Sequence, residues 1–496
     1  MTAQLVAKII AFVLYLGVMI FVGLRSASKN NSSADFFLGG RKVGPWVTAL
    51  SAEASDSSAW LLMGLPGLCY LGGVQESIWT AVGLILGTYL SWLFVAKPLR
   101  KCSITYGDSI TIPEFLSNRF ADKTHLLSIV SVIFIVLFFT IYTASGFVAC
   151  AKLFNSVFGL NYHAGLAIGL VVILCYTVTG GYTAVCTTDF IQGMLILVAF
   201  VISTIIALFA IGGIPQAANV FTNFKEVAGT ELQAFNGMGI VSALAWGLGY
   251  FGMPHIIVRF MGIRSNGEIK KARRIGIIWM IISYIGAILI GTLGIVYLKG
   301  HGIILSAGDA ETVFSATMQQ MYPAFIAGIF LCAILAASMS TADSQLLAAS
   351  SAVSQDIFKG LIKKDADEKT VLNVSRFTVF LIALIALLLS LNPNSSIFSL
   401  VSFAWSGFGG TFGPLILLAL YWKRTTAAGA IAGLVCGGIV DVVWHYIPAT
   451  VSPIFGLYEI VPAFLAFLVV TVVISLCTKP NEEVVSKFAE YKNMED

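Results

Sequence analysis

The chain has 496 residues, of which 58% are apolar and 11% charged, with a formal net charge of +4. Soluble domains carry about 25% charged residues, so this composition excludes a soluble enzyme, a nucleic-acid binder and a disordered chain. The apolar runs are long and continuous rather than alternating, which also excludes an outer-membrane barrel.

A bilayer span takes about 20 residues, and thirteen runs of that kind can be read: roughly 5–25, 45–70, 77–97, 125–151, 162–185, 189–211, 238–260, 275–298, 323–354, 370–391, 396–422, 426–446 and 457–477. The expected fold is an all-α integral membrane protein of about thirteen helices. The first run is followed by Arg25, Lys29, Arg41 and Lys42, an order that suits a retained span better than a cleaved signal peptide. Alternate connections hold 24 Lys and Arg on one side and 3 on the other, with Lys8 and Arg376 inside spans. That bias predicts an N-terminus outside and a C-terminus in the cytoplasm. Connections 98–124 and 212–237 have room only for short amphipathic pieces, and the tail 482–496 reads as a frayed cytoplasmic helix.

Span two breaks its own rules. Between apolar ends it carries Ser51, Glu53, Ser55, Asp56, Ser57 and Ser58, followed by Pro66 and Gly67. Each carboxylate at the bilayer centre costs roughly 2.5–3.5 kcal/mol, and serines compete for backbone hydrogen bonds. An unwound stretch near 54–58, facing the protein interior, is expected; polar glue between helices is the plainer alternative. Span seven repeats the anomaly in Trp246-Gly-Leu-Gly-Tyr250-Phe-Gly-Met-Pro254-His255. Close packing of small residues would explain it alone. Together, two interrupted helices five spans apart, starting on opposite faces, point to inverted repeats around a transporter's midplane site.

Span nine contributes Ala337, Ser340, Thr341 and Ser344, one face of a helix by their spacing. Their oxygens are hard donors suited to a hard cation, although a Ser/Thr face is also ordinary packing glue. Asp189 reads as an anion at the start of span six or as part of an ion path. His255 and Arg259 are placed at the cytoplasmic end of span seven, where they could face solvent. The eight cysteines show no metal-like or disulfide spacing. Gly-Gly pairs at 39–40, 180–181 and 409–410 lack the context of a phosphate loop, so ATP-driven pumping is not expected.

At these residues the chain resembles the bacterial sodium/proline symporters of the sodium/solute symporter family. The likeness rests on Gly39-Gly40-Arg41, the Ala54-Ser55-Asp56 to Leu65-Pro66-Gly67 run, Phe138 to Tyr142, Trp246 to His255, Ser340 to Leu347 and Leu457 to Pro462. It implies a LeuT-type 5+5 inverted-repeat core, residues 45–211 and 238–422. An extra span lies in 1–44, and two more spans and a tail lie in 426–496. It further implies that Na⁺ is held by main-chain oxygens of Ala54, Ser57 and Ala337 with the hydroxyls of Ser340 and Thr341. Asp56 and Asp189 would support coupling and inward ion exit. Proline would sit beside Ser58 and Ala59, with Tyr142, Trp246, Tyr250 and Pro254 around its ring. Ser57 and Ala59 stand where many relatives carry Met and Gly, and Glu53 where others are small.

The expected function is therefore Na⁺-coupled uptake of L-proline by alternating access, in the cell membrane, with Na⁺ as coupling ion and the lipid bilayer as surroundings. A monomeric, non-enzymatic, multi-pass transporter without nucleic-acid partners is expected. The alternatives are another small neutral amino acid as substrate or, more remotely, a channel or sensor; no G-x-S-x-G or H-E-x-x-H motif suggests hydrolysis.

Overall fold

The computed structural model describes residues 2–27, 32–228 and 236–493. Among them the chain is helical, with turns and one isolated parallel bridge between Val43 and Ile263. Ten of the described helices are long and apolar enough to cross a membrane, and a bent helix pair makes an eleventh crossing when counted as one span.

Helix α1 (Ala3–Ala27) runs along the edge of the bundle. Helix α2 (Pro45–Ala59) begins at Pro45, whose missing N–H costs nothing in a first turn. It stays helical through 54–57 and breaks at Ser58, with φ 44° and ψ −178°. The expected unwinding is thus confined to the end of the polar run. A wide turn, Trp60–Gly64, leads to α3 (Leu65–Gly72), with Pro66 in its first turn. The segment 45–72 is not among the ten apolar crossings; its polar centre lowers its hydropathy.

After α4 (Gln75–Ser91) and α5 (Leu126–Phe158) comes α6 (Tyr162–Ala210), kinked at Gly181 with φ 65° and ψ 177°. A break was expected at 186–188. Gly181 takes it instead, because glycine enters the left-handed region without a Cβ clash. At the expected break Thr187 and Thr188 return their hydroxyls to the carbonyls of Thr183 and Ala184, at 2.7 and 3.0 Å, and the helix continues.

Span seven is divided as its glycines suggest. Helix α7 (Gly237–Ala245) runs into a tight 3₁₀ turn, Trp246–Phe251, and then α8 (Pro254–Gly262) departs at 43°. Gly252 has no room for a Cβ against the backbone of Phe408, Phe412 and Gly413. A Cβ on Gly87 of α4 would collide with the backbone of Gly247. The small residues here therefore serve both readings: they permit close helix crossing and leave the turn weakly helical.

The remaining spans are α9 (Ile269–Gly300), α10 (Ala324–Ser351), α11 (Glu368–Leu389), α12 (Ile397–Tyr421), α13 (Ala427–Tyr446) and α14 (Ile460–Cys477). Burial sorts them: 83% of the α12 window and 78% of the window containing α10 are enclosed, against 17% for α1. Helix α2 lies between α6, α9 and α10, so its polar face is turned to other helices. The tail helix α15 (Glu482–Asn493) is docked rather than frayed, with Val484, Phe488 and Tyr491 buried. Arg119, also buried, holds it by lying 4.9 Å from the Phe488 ring while donating to the Ala419 carbonyl at 2.8 Å. Seven cysteines in the described part are free thiols, while the Cys175 side chain lies outside it.

Candidate functional site

The break in α2 and the polar face of α10 meet. The Ser340 hydroxyl donates to the Ala54 carbonyl at 2.9 Å and lies 3.2 Å from the Ala337 carbonyl. One residue on, the Thr341 hydroxyl is buried with no hydrogen-bond partner. An unpartnered buried hydroxyl costs about 1–3 kcal/mol unless something fills its place. Ser57 sends its hydroxyl back to the Glu53 carbonyl at 2.7 Å, and its own carbonyl accepts from Trp60 N–H. Three of the five expected Na⁺ ligands, Ala54, Ala337 and Ser340, are thus joined through the Ser340 hydroxyl, and Thr341 follows as an open oxygen. The hydrogen bonds at Ser57 do not tie it to that group.

Asp56 joins three elements. Its carbonyl accepts from the Tyr142 hydroxyl at 3.2 Å, and its carboxylate accepts from the Tyr250 hydroxyl. Helix α5 and the broken span seven are therefore both anchored two residues beyond Ala54, whose carbonyl Ser340 holds. Glu53 is buried as well; it accepts from Trp92 Nε1 at 3.1 Å and fills the space left by Gly276, where a Cβ would strike it.

Asp189 is not an anion at a helix start: it lies within the segment following the Gly181 kink and is fully buried. Arg259 is 3.3 Å away in an ion pair, and neither side chain is more than 1% exposed. Ser51 donates to Asp189 at 2.6 Å and accepts from Arg259 Nε at 3.1 Å, while Arg259 also reaches Ser344 and the His255 carbonyl. His255 is equally buried, so the expectation that these two residues face solvent is wrong. The reason is that α8, set at 43° to the first half of its span, packs against α2. Beside this pair a small cavity of about 20 Å³, room for about one water, is lined by Tyr182, Pro254, Arg259, Ser344, Ile110 and Pro113 among others.

The expected substrate residues fall into two groups. Ser58, Ala59, Tyr142, Trp246 and Tyr250 are all buried and converge on Asp56 and the α2 break. Pro254 lines the separate cavity next to Arg259. Around Trp246 an aromatic cage closes: Trp60 stacks at 5.4 Å, Tyr458 at 5.3 Å, and Trp405 Nε1 donates to the Trp246 carbonyl at 2.7 Å. Tyr284 presents an edge to Trp60 at 6.1 Å, and Trp60 Nε1 is buried without a partner. Sequence reading passed over Trp60, Trp405, Tyr284 and Tyr458. Trp60 had a signal, since it ends the polar run; the others sit among apolar neighbours that look like any span.

Comparison with known proteins adds identity to this geometry. A model of the family described as Sodium:solute symporter family matches residues 36–437. Sodium/proline symporter 2 of Staphylococcus saprophyticus is 44% identical, over 95% of this chain and 93% of its own length. The sodium/proline symporter of Staphylococcus aureus is also 44% identical, over 96% of this chain and 93% of its own. Among solved structures, a Na⁺-coupled sialic acid symporter in a substrate-bound outward-open state superposes with a TM-score of 0.79 at 20% identity, covering 96% of this chain and 98% of that one. A nucleobase-cation-symport-1 family transporter in a closed conformation gives 0.56 at 13% identity, over 93% and 99%. Those two likenesses concern the fold.

Proposed function

The chain belongs to the sodium:solute symporter family, and from that premise we propose that it carries L-proline inward together with Na⁺ by alternating access. It is a multi-pass membrane transporter and not an enzyme. Proline is favoured by relatives named sodium/proline symporters at 44% identity over nearly the whole chain. The observation that carries the ion site is the Ser340 hydroxyl on the Ala54 carbonyl beside the unpartnered Thr341 hydroxyl. In this reading Na⁺ is bound by Ala54, Ser57, Ala337, Ser340 and Thr341, with Asp56 and Asp189 in support. Proline lies between Ser58, Ala59, Tyr142, Trp246 and Tyr250, with Pro254 at the cytoplasmic edge. Aromatic faces suit its ring and ammonium, and the half-helix ends of a broken span suit its carboxylate.

The rest of the molecule follows the same proposal. Thirteen spans result when the polar segment 45–72, the bent pair and the shorter apolar helix Tyr162–Leu174 are taken as crossings beside the ten. Spans two to six (45–211) and seven to eleven (238–422) form the inverted repeats. The N-terminus lies outside, the C-terminus in the cytoplasm, and one chain in the lipid bilayer is the working unit. One positive charge crossing 100 mV releases about 2.3 kcal/mol, enough with a Na⁺ gradient to concentrate a neutral amino acid. A second reading, a different small neutral amino acid, is favoured by Ser57 and Ala59 at the pocket. Competition of unlabelled amino acids against labelled proline in vesicles separates the two. Proline as the strongest competitor, alanine and glycine weak and lysine and glutamate inactive is expected; alanine outcompeting proline would support the second reading.

A further inference from the structure

The first turns of α9 carry more positive charge than the protein itself neutralises. Between Gly262 and Gly276 stand Arg264, Lys270, Lys271, Arg273 and Arg274 against a single carboxylate, Glu268, which is held by Arg264 in an ion pair. Lys270, Lys271 and Arg274 are exposed and Arg273 is half-buried. Among the described residues these four have no ion pair. A helix N-terminus already favours anions, so cations placed there add to its positive potential instead of offsetting it. The turn that opens α9 is fixed by a further cation. Arg100 donates to the carbonyls of Ile263 and Arg264 at 2.8 and 2.9 Å and to Asn266 at 3.2 Å.

Below the charges the same face of the helix turns apolar. Lys271, Arg274, Ile278, Ile281, Ile282 and Ile285 recur at the three- and four-residue spacing of one stripe. All four isoleucines are exposed, Ile278 by 59% and Ile285 by 53%. Helix α4 packs beside α9 and exposes Leu86, Tyr89 and Leu90. Arg273 joins the two helices, its guanidinium carbon 5.2 Å from the centre of the Tyr89 ring. The 32 residues of α9 rise about 48 Å, whereas the hydrocarbon core of a bilayer is about 30 Å thick. With the isoleucines in the hydrocarbon, the basic turn stands in the headgroup layer.

We propose that this face binds an anionic phospholipid of the phosphatidylglycerol kind, with its phosphate among Lys270, Lys271, Arg273 and Arg274 and its acyl chains along the isoleucine stripe and the exposed face of α4. Charge selects the headgroup, because basic residues beside a membrane span attract net-negative lipids, and a zwitterionic lipid brings as much positive charge as negative. The apolar stripe selects a lipid over a soluble phosphate. On the orientation proposed above the lipid belongs to the cytoplasmic leaflet, although binding itself does not depend on that reading. The site also bears on the core of the protein. Gly276, three residues beyond Arg273, leaves the room that Glu53 of α2 occupies, so a lipid held at Arg273 and Arg274 braces α9 where it meets α2.

The test uses the full chain in a neutral detergent without substrate, and is therefore independent of which solute is carried. Dioleoyl phosphatidylglycerol or dioleoyl phosphatidylcholine is titrated in, and bound lipid is counted by native mass spectrometry. The first phosphatidylglycerol is expected to bind at least about tenfold more tightly than phosphatidylcholine, and Lys271→Gln with Arg274→Gln should weaken it about thirtyfold. The charge-preserving exchange Lys271→Arg with Arg274→Lys should keep it. So should Lys363→Gln with Lys364→Gln, which removes exposed cations from a different connection. Equal binding of the two lipids by the wild type, a comparison that needs no variant, would overturn the proposal. Equal weakening in the two glutamine variants would overturn it as well, since any cytoplasmic cation would then serve. Displacement of the lipid by inorganic phosphate at millimolar concentration would do the same, making the ligand a soluble anion.

Discussion

Ser340 and Thr341 follow one another on α10, yet one hydroxyl is engaged with Ala54 and the other has no partner. A ligand role predicts that Ser340→Ala and Thr341→Ala each raise the Na⁺ concentration for half-maximal uptake. A hydroxyl ligand of about 1–3 kcal/mol corresponds to roughly 5- to 150-fold, with the order of substrate preference unchanged. Na⁺ titration of uptake checks this, and unchanged curves in both variants would remove these residues from the ion site. The Asp189–Arg259 pair behaves differently, because both charges are buried. Arg259→Leu leaves a carboxylate uncompensated and should destabilise by about 3–5 kcal/mol, while the double change Asp189→Leu with Arg259→Leu should recover much of it. Thermal unfolding in detergent reads both, and equal losses would contradict the pairing. The polar run 51–58 and the hydroxyls of α10 were legible in the sequence because polar groups at membrane depth demand a reason. Arg259 was misread, since its partner lies 70 positions away and only the fold brings them together.

At the scale of elements, the two interruptions were found from composition, but their form was not. Ser58 alone leaves the helical region in α2, and which of several serines does so depends on what clamps either side, here Trp60 N–H on the Ser58 hydroxyl at 3.1 Å and Tyr142 on Asp56. The kink of α6 was displaced from 186–188 to Gly181, since threonine hydroxyls can satisfy carbonyls without ending a helix. The broken span seven is packed against α4 through glycines on both sides. Gly87→Val should therefore force the two apart, at a cost of about 1–3 kcal/mol. Gly44→Ala, at a position with open space around it, should be neutral. Folded yield and melting temperature of the two variants provide the comparison; equal stability would mean that the crossing tolerates a gap.

For the whole molecule, helical class and membrane character followed from composition, and the charge bias carries the proposed orientation. A tag after Asp496 should be reached by an impermeant reagent only once the membrane is opened; labelling of intact cells would reverse the map. The docked helix α15 was not legible, because its anchor Arg119 lies far away in the chain and looked like one more cytoplasmic charge. The central claim, coupled carriage of Na⁺ and proline, is tested most directly by uptake of labelled proline into vesicles holding the purified chain. Accumulation above the external concentration is expected with an inward Na⁺ gradient, rising with an inside-negative potential and abolished when K⁺ replaces Na⁺. Equal accumulation under the K⁺ gradient, or none under the Na⁺ gradient, would contradict it.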